Sequence, residues 1–263
     1  MGRAVEVPAA PARIVSLVPS ITEALFAFGL EERIAGVTRF CVEPRERVRG
    51  KGRVGGTKDP DVAKIAALAP DLVLANAEEN RREDVEALIN LGLTVFVTYP
   101  RTVSAAIEML HQVAQMTGAA EAAAKTVREA RAELKKAVSA GRRRPPVSVF
   151  CAIWRNPWMT VGPDTYMHDM ITICGGRNVY ADGAQRYPEV TLSDVARRQP
   201  DVVLLPDEPY RFGRKHLPEV TALDMPAAVA GRLFFVDGKD LCWYGPRIPR
   251  AIRTLRRLLD SAR

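Results

Sequence analysis

The sequence predicts an α/β protein of two similar lobes, each with a mainly parallel sheet, joined by one long rigid helix. Short apolar runs alternate with amphipathic stretches along most of the 263 residues, which is the pattern of parallel strands covered by helices. Residues 68–74 resemble residues 198–204 around a shared Pro-Asp pair, which indicates an internal repeat. Between the halves, residues 103–140 are rich in Ala, Glu, Lys and Arg, a composition typical of helices. A ligand cleft is expected between such lobes.

The first half begins with the apolar run 14–18, whose β-branched residues favour a buried strand. Pro19 ends this strand. Ser20, with Glu23 three residues later, predicts a capping box for a helix that ends at Gly29. The remaining elements of this half are predicted as strand 34–38, helix 61–68, strand 71–75, helix 82–91 and strand 95–98.

The middle of the chain is predicted as two helical pieces with a break near Thr117 and Gly118. Pro145 and Pro146 end the second piece. The second half is predicted as strand 147–151, helices 166–174 and 192–198, strands 202–206 and 233–236, and helix 249–259. The predicted domains are an N-terminal α/β lobe at 1–102, a connecting helical segment at 103–144 and a C-terminal α/β lobe at 145–263.

The balance of charge is basic, with 38 Lys and Arg against 31 Asp and Glu and a formal net charge of +7. Basic residues cluster only weakly, at 142–144, 45–53 and 250–257. Each cluster is interpreted as a linker, a loop or a solvated helix face, so no nucleic-acid partner is expected. A scaffold or regulatory protein that meets its partner through the basic surface stays open as an alternative.

The N-terminal residues contain no apolar signal core before Pro8 and Pro11, and no cysteine that could carry a lipid precedes Cys41. No apolar run approaches the length needed to cross a bilayer. As sequenced, the chain is expected in the cytoplasm. A periplasmic or cell-surface location is the alternative if a signal has been removed. In the cytoplasm, free thiols are expected at Cys41, Cys151, Cys174 and Cys242.

Aromatic and arginine side chains concentrate in the loops predicted to follow the strands. Ligands bind at the carboxyl ends of parallel strands, and all three tryptophans fall in such loops. Arginine beside an aromatic ring suits a planar ligand that carries anionic or amide groups. A cap on the hydrophobic core is the alternative for one or two of the rings. The candidate ligand-binding residues are Ser20, Arg39, Phe40, Thr57, Trp154, Arg155, Pro157, Trp158, Tyr187, Tyr210, Trp243, Tyr244 and Arg247.

Catalytic patterns are weak, and no catalytic residue or intrinsic cofactor is predicted. The Gly55-Gly56-Thr57 turn lacks the Lys and Ser/Thr ending of a phosphate loop. The three histidines lie far apart in sequence, so no metal site is predicted. An enzyme acting on a small anionic substrate or a corrinoid remains the alternative, and it requires its acid–base groups to converge. Its candidate groups are Glu189, His168 and Asp164.

Several short motifs occur in a defined order along nearly the whole chain. They are Pro19-Ser20-Ile21-Thr22-Glu23, Val54-Gly55-Gly56-Thr57, the Pro-Asp strand 68–73, Cys174-Gly175-Gly176-Arg177-Asn178-Val179, Tyr187-Pro188-Glu189-Val190 and Gly245-Pro246-Arg247. With this ordered set of motifs, the chain resembles class III periplasmic binding proteins. Members of that group bind vitamin B12, ferric siderophores or haem for ABC importers. It is most similar to the cobalamin-binding branch.

The resemblance implies a monomeric, non-catalytic solute-binding protein for a corrinoid or similar metal chelate, linked to ABC-type uptake. A ferric siderophore or haem is the alternative ligand, and a cytoplasmic corrinoid-handling protein is the alternative role. The family's two permease-docking carboxylates correspond to Ala63 and Ser193, which have no charge to pair with a permease arginine. By position, the resemblance assigns cleft roles to Ser20, Arg39, Thr57, Trp154, Pro157, Trp158, Tyr187 and Trp243.

Overall fold

The computed structural model describes residues 5–141 and 144–263. These residues form two compact units. Arg142 and Arg143, which belong to one of the basic clusters and to the predicted connecting segment, lie outside the described residues. Unit 1 comprises 5–100, Ala105–Glu129 and Tyr244–Pro246, and unit 2 comprises Arg101–Ser104, the described part of Ala130–Trp243, and Arg247–Arg263.

Unit 1 contains alternating strands and helices, as the sequence predicts. Its elements are β1 (Ile14–Ser16), α1 (Pro19–Ala27), β2 (Ile34–Val37), α2 (Arg45–Val48), α3 (Val62–Ala67), β3 (Leu72–Asn76), α4 (Arg82–Asn90) and β4 (Val95–Thr98). The four strands form one parallel sheet in the order β2-β1-β3-β4. Every residue of β1 and β3 is buried, because crossover helices cover both faces of a parallel sheet.

The helical middle of the chain also forms as predicted, in two pieces. They are α5 (Val103–Met116) and α6 (Ala120–Gly141). The break between them includes Gly118, whose φ of +68° lies in the left-handed region that glycine tolerates. Residues 120–129 of α6 belong to unit 1 and residues 130–141 to unit 2. No helix in the described ranges has the length and apolar composition that membrane crossing requires.

Unit 2 contains a larger, mixed sheet. Its elements are β5 (Val147–Trp154), β6 (Trp158–Thr160), α7 (Tyr166–Ile173), β7 (Gly176–Asn178), β8 (Glu189–Val190), α8 (Leu192–Arg197), β9 (Val202–Pro206), α9 (Leu217–Thr221), α10 (Pro226–Val229), β10 (Leu233–Val236), α11 (Gly238–Cys242) and α12 (Ile248–Ser261). Strands β7, β5, β9 and β10 are parallel neighbours. Strand β6 continues the sheet antiparallel to β5, and β8 follows antiparallel to β6. The parallel part repeats the strand order of unit 1, so the predicted internal repeat is confirmed.

The Pro-Asp motif forms the same local structure in both units. Ala69 and Gln199, just before the two prolines, have φ values of 43° and 47°. The carboxylate of Asp71 accepts the backbone N–H of Arg13 at 2.8 Å, and that of Asp201 accepts a backbone N–H at the start of β5 at 2.9 Å. Each aspartate thereby connects its own strand to the beginning of the neighbouring strand.

Two local predictions are wrong. Ser20 does not cap α1, because the helix starts one residue earlier with Pro19 at its first turn, and the N-cap position falls on Val18. Trp154 and Trp158 do not lie in a loop. The apolar run that begins β5 continues to Trp154, and Trp158 begins the antiparallel strand β6. The predicted helix end at Gly29 is confirmed by its φ of +74°.

Candidate ligand-binding site

Four aromatic rings in unit 2 form a continuous series at the carboxyl ends of β5 and β9, which we call the aromatic ladder. Trp158 stacks on Phe212 with ring centroids 5.5 Å apart and an interplanar angle of 19°. Phe212 lies 4.8 Å from Tyr210, and Tyr210 meets Trp154 edge-on at 5.5 Å. Trp158 and Phe212 are buried, whereas Trp154 is 43% exposed. The buried rings therefore support one indole that faces solvent.

Polar contacts hold the solvent end of the ladder in place. His216 is buried and accepts the backbone N–H of Gly213 at its Nδ1, at 2.9 Å. Its ring proton therefore lies on Nε2, which donates to the hydroxyl of Tyr210 at 3.2 Å. Arg155, next to Trp154, pairs with Glu219 at 2.8 Å. These contacts restrict the positions of both Tyr210 and Arg155.

Trp243 lies in a separate buried cluster of unit 2. It is 5% exposed, and its indole Nε1 donates to Glu208 Oε1 at 2.9 Å. The guanidinium of Arg247 lies 5.1 Å from the indole centroid, and its side chain is 10% exposed. Burial raises the pKa of the Glu208 carboxyl, although the hydrogen bond from Trp243 opposes this effect. Trp243 and Arg247 therefore present little surface of their own.

The Glu208→Gln variant is expected to lose less stability than the native protein as the pH rises. Because the folded-state pKa of Glu208 is raised, the unfolded chain releases this proton at a lower pH than the folded chain. The contribution of Glu208 to the free energy of unfolding is therefore fully present below the ordinary glutamate pKa. This contribution is lost as the pH rises from there through the folded-state pKa. Glutamine keeps an oxygen acceptor for Trp243. Thermal unfolding of both proteins from pH 4 to pH 8 measures the difference, and parallel curves would contradict the prediction.

In unit 1, Arg39 and Phe40 follow β2 and form an exposed pair. The Arg39 guanidinium lies 5.0 Å from the Phe40 ring centroid and bonds to the Asp59 carboxylate at 2.8 Å. A Cβ on Gly56 would lie 2.7 Å from this guanidinium, so the glycine leaves room for it. Phe40 is 49% exposed. Thr57 follows Gly56 in the chain, and the Thr57 carbonyl oxygen accepts a side-chain N–H at 2.9 Å.

Tyr187 and Arg186 repeat this pairing in unit 2. The Arg186 guanidinium lies 5.3 Å from the Tyr187 ring centroid, and its Nε donates to the carbonyl of Asp164 at 2.8 Å. Tyr187 is 39% exposed. An exposed aromatic ring next to an arginine therefore occurs in both units.

Other candidates of unit 1 are buried. Tyr244 is 4% exposed, and its hydroxyl donates to Glu79 Oε1 at 3.1 Å. Ser20 is 1% exposed, and a Cβ on Gly245 would lie 3.0 Å from its carbonyl oxygen. Burial raises the pKa of the nearby Cys41 thiol, so this group stays protonated at neutral pH. These residues pack inside unit 1.

The sequence-derived candidates thus divide by exposure. The exposed candidates are Arg39, Phe40, Trp154, Pro157 and Tyr187. Those of intermediate exposure are Thr57, Arg155, Tyr210 and Arg247, and the buried ones are Ser20, Trp158, Trp243 and Tyr244. Sequence reasoning missed Phe212, His216 and Glu208, which support the candidates. The alternation of Tyr210 and Phe212 after a strand was the available signal for the ladder.

The acid–base candidates occupy separate positions in unit 2. Asp164 pairs with Arg101 at 2.5 Å. His168 contacts Asn178 through its Nδ1 at 3.3 Å, and Glu189 is exposed in β8. No hydrogen bond or ion pair within the described chain joins any two of the three. The arrangement lacks the mutual contacts of a catalytic group.

Comparisons with known proteins relate the chain to solute-binding proteins. It is 28% identical over 191 residues to the vitamin B12-binding protein of Vibrio campbellii, an alignment covering 73% of this chain and 69% of that protein. The periplasmic vitamin B12 binding protein BtuF of Vibrio cholerae has the same fold, with a TM-score of 0.84 at 22% identity over 97% of this chain and 99% of that one. The periplasmic heme-binding protein RhuT from Roseiflexus sp. RS-1 matches with a TM-score of 0.80 at 26% identity, covering 95% of this chain and 99% of that one.

These comparisons correct the expected location. Both solved structures are of proteins named as periplasmic, and the family model for periplasmic binding proteins matches residues 14–239. The cytoplasmic expectation is therefore wrong, because it was drawn from the first residues of the chain and not from its fold. The resemblance and the fold class predicted from the sequence are confirmed. The chain belongs to the periplasmic binding protein family.

Proposed function

We propose that this protein is a non-catalytic solute-binding protein for a corrinoid such as cobalamin, and that it serves an ABC-type importer. The observation that carries the proposal is the exposure of three aromatic rings, Trp154, Tyr187 and Phe40. The rings of Tyr187 and Phe40 each lie beside an arginine guanidinium. The similarity to vitamin B12-binding proteins supports the same ligand class. The separate positions of the acid–base candidates support binding without catalysis.

The chemistry of a corrinoid suits these side chains. Its macrocycle has extended faces against which aromatic rings can pack, and its rim carries amide groups that accept hydrogen bonds from arginine. The macrocycle holds its own metal, so the protein needs no intrinsic cofactor. In this proposal, the exposed candidates of each unit, among them Phe40 in unit 1 and Trp154 and Tyr187 in unit 2, are the surfaces available to a ligand. The buried candidates Ser20, Trp158, Trp243 and Tyr244 hold them in position.

Trp154→Ala is expected to weaken cyanocobalamin binding by about tenfold, because the variant loses the exposed indole of the aromatic ladder. Titration followed by intrinsic fluorescence or by calorimetry measures the dissociation constant. Phe235→Ala is the matched control, since Phe235 is another aromatic residue of unit 2 and is 45% exposed on β10. The control should bind like the native protein. Equal affinities of the native protein and the Trp154 variant would contradict the assignment.

Haem is the second candidate ligand, because the Roseiflexus protein at 26% identity is named as heme-binding. Parallel titrations with cyanocobalamin, hemin and a ferric siderophore separate the candidates. The proposal expects cyanocobalamin to bind most tightly and to raise the thermal midpoint. Absence of binding to all three compounds would refute it.

We also propose that the protein acts as a monomer and docks to its permease without the family's carboxylate pair. Ala63 and Ser193 are both exposed and uncharged. Asp61 caps α3 by accepting the N–H of Lys64 at 2.9 Å, and Asp194 accepts the hydroxyl of Tyr180 at 2.8 Å. The nearest carboxylates are thus engaged within their own units. Light scattering after size exclusion tests the monomer.

A further inference from the structure

Unit 2 contains a cavity of about 490 Å³ between the end of α6, helix α7 and strand β7. Its apolar wall is formed by Val138, Pro146, Ile173 and Ala181. The volume is within the range of small-molecule sites. None of its described lining residues is acidic, and none belongs to the candidate site above.

Arg177 places an unpaired cation at this cavity. Its side chain is exposed, and it makes no hydrogen bond or ion pair with any residue that the structure describes. A guanidinium offers two parallel N–H donors, the arrangement that a carboxylate accepts best. An apolar wall beside the Arg177 guanidinium is suited to an organic anion with a hydrocarbon body.

His168 supplies a second donor whose orientation is determined by Asn178. The Asn178 Oδ1 accepts the backbone N–H of Tyr180 at 3.0 Å, and its Nδ2 donates to the carbonyl of Val161 at 2.8 Å. This Nδ2 also donates to His168 Nδ1 at 3.3 Å, which places the ring proton on Nε2. The Nε2 has no partner within the described chain. Burial lowers the pKa of His168, so the ring is a neutral donor at pH 7.

We propose that this cavity binds a small carboxylate with an apolar chain, such as the anion of a medium-chain fatty acid. The carboxylate accepts hydrogen bonds from Arg177 and His168, and the chain packs against Val138 and Ile173. One charged and one neutral N–H donor suit the two oxygens of a single carboxylate. This binding site is independent of the corrinoid site proposed above.

Calorimetric titration of the full chain with decanoate tests the proposal. We expect saturable binding of one decanoate, and binding of decan-1-ol that is at least about tenfold weaker because the alcohol lacks the charge. Arg177→Gln should weaken decanoate binding about tenfold. Arg257→Gln is the control, since Arg257 is exposed on α12 and does not line the cavity. This control should bind decanoate like the native protein.

Ala181→Trp provides a second test, because an indole at this position fills part of the cavity. We expect it to abolish decanoate binding and to leave cyanocobalamin binding as in the native protein. The thermal midpoint without ligand verifies the folding of each variant. The decanoate titration is therefore interpretable whether or not the protein binds cyanocobalamin. The proposal is overturned if decan-1-ol binds as tightly as decanoate, if Arg177→Gln has no effect, or if decanoate gives no saturable signal.

Discussion

Replacing Trp158 with alanine is expected to lower the free energy of unfolding by about 3–5 kcal/mol. The indole is 9% exposed and stacks on Phe212 at the buried end of the aromatic ladder. Its removal creates a cavity that the neighbouring rings fill only in part. Urea unfolding of the purified variant, followed by circular dichroism, measures the loss.

The same substitution is expected to weaken cyanocobalamin binding, because Phe212 supports Tyr210 and Tyr210 contacts the exposed Trp154. Trp158→Phe is the control, since it keeps a ring that can stack on Phe212, and it should lose about half as much stability or less. An alanine variant as stable as the native protein would show that the ladder does not belong to the core. Unchanged ligand affinity in a folded alanine variant would separate the ladder from the binding site.

Gly162→Ala is expected to lower the free energy of unfolding by about 2–3 kcal/mol. A Cβ at this position would lie 1.9 Å from the carbonyl oxygen of Gln185, so the backbone of one segment has to move. The Gly162 N–H also donates to the carbonyl of Arg186 at 2.7 Å. Because Tyr187 comes next in the chain, the shift should displace its ring and weaken ligand binding as well.

Gly213→Ala is the matched control for this prediction. A Cβ at Gly213 would have no neighbouring heavy atom within 4 Å, and its extended backbone suits any residue. Its stability should stay within about 0.5 kcal/mol of the native value. Thermal unfolding of both variants gives the comparison, and equal midpoints would contradict the close approach at Gly162.

The fold was predictable because its determinants are local. Alternating apolar runs and amphipathic stretches identified the parallel strands and their covering helices. The repeated Pro-Asp motif identified the duplication, and its aspartates, Asp71 and Asp201, make equivalent backbone contacts in the two units. Short elements such as β7 and β8 were missed because two or three residues carry no periodic pattern.

The residue types of the candidate site were also predictable, but their exposure was not. Trp154 and Trp158 are four residues apart, yet one is 43% exposed and the other 9% exposed. The difference arises from Phe212, which lies far along the chain and covers only Trp158 directly. No local pattern encodes such a contact.

Composition and short motifs were thus sufficient for the fold class, the duplication and the concentration of aromatic and arginine residues after the strands. The three-dimensional contacts were required to separate exposed rings from buried supports, as with Trp243 and its bond to Glu208. The physical reason is that burial and hydrogen bonding depend on residues brought together by folding from distant parts of the chain. Strand and helix formation, in contrast, depends mainly on neighbouring residues.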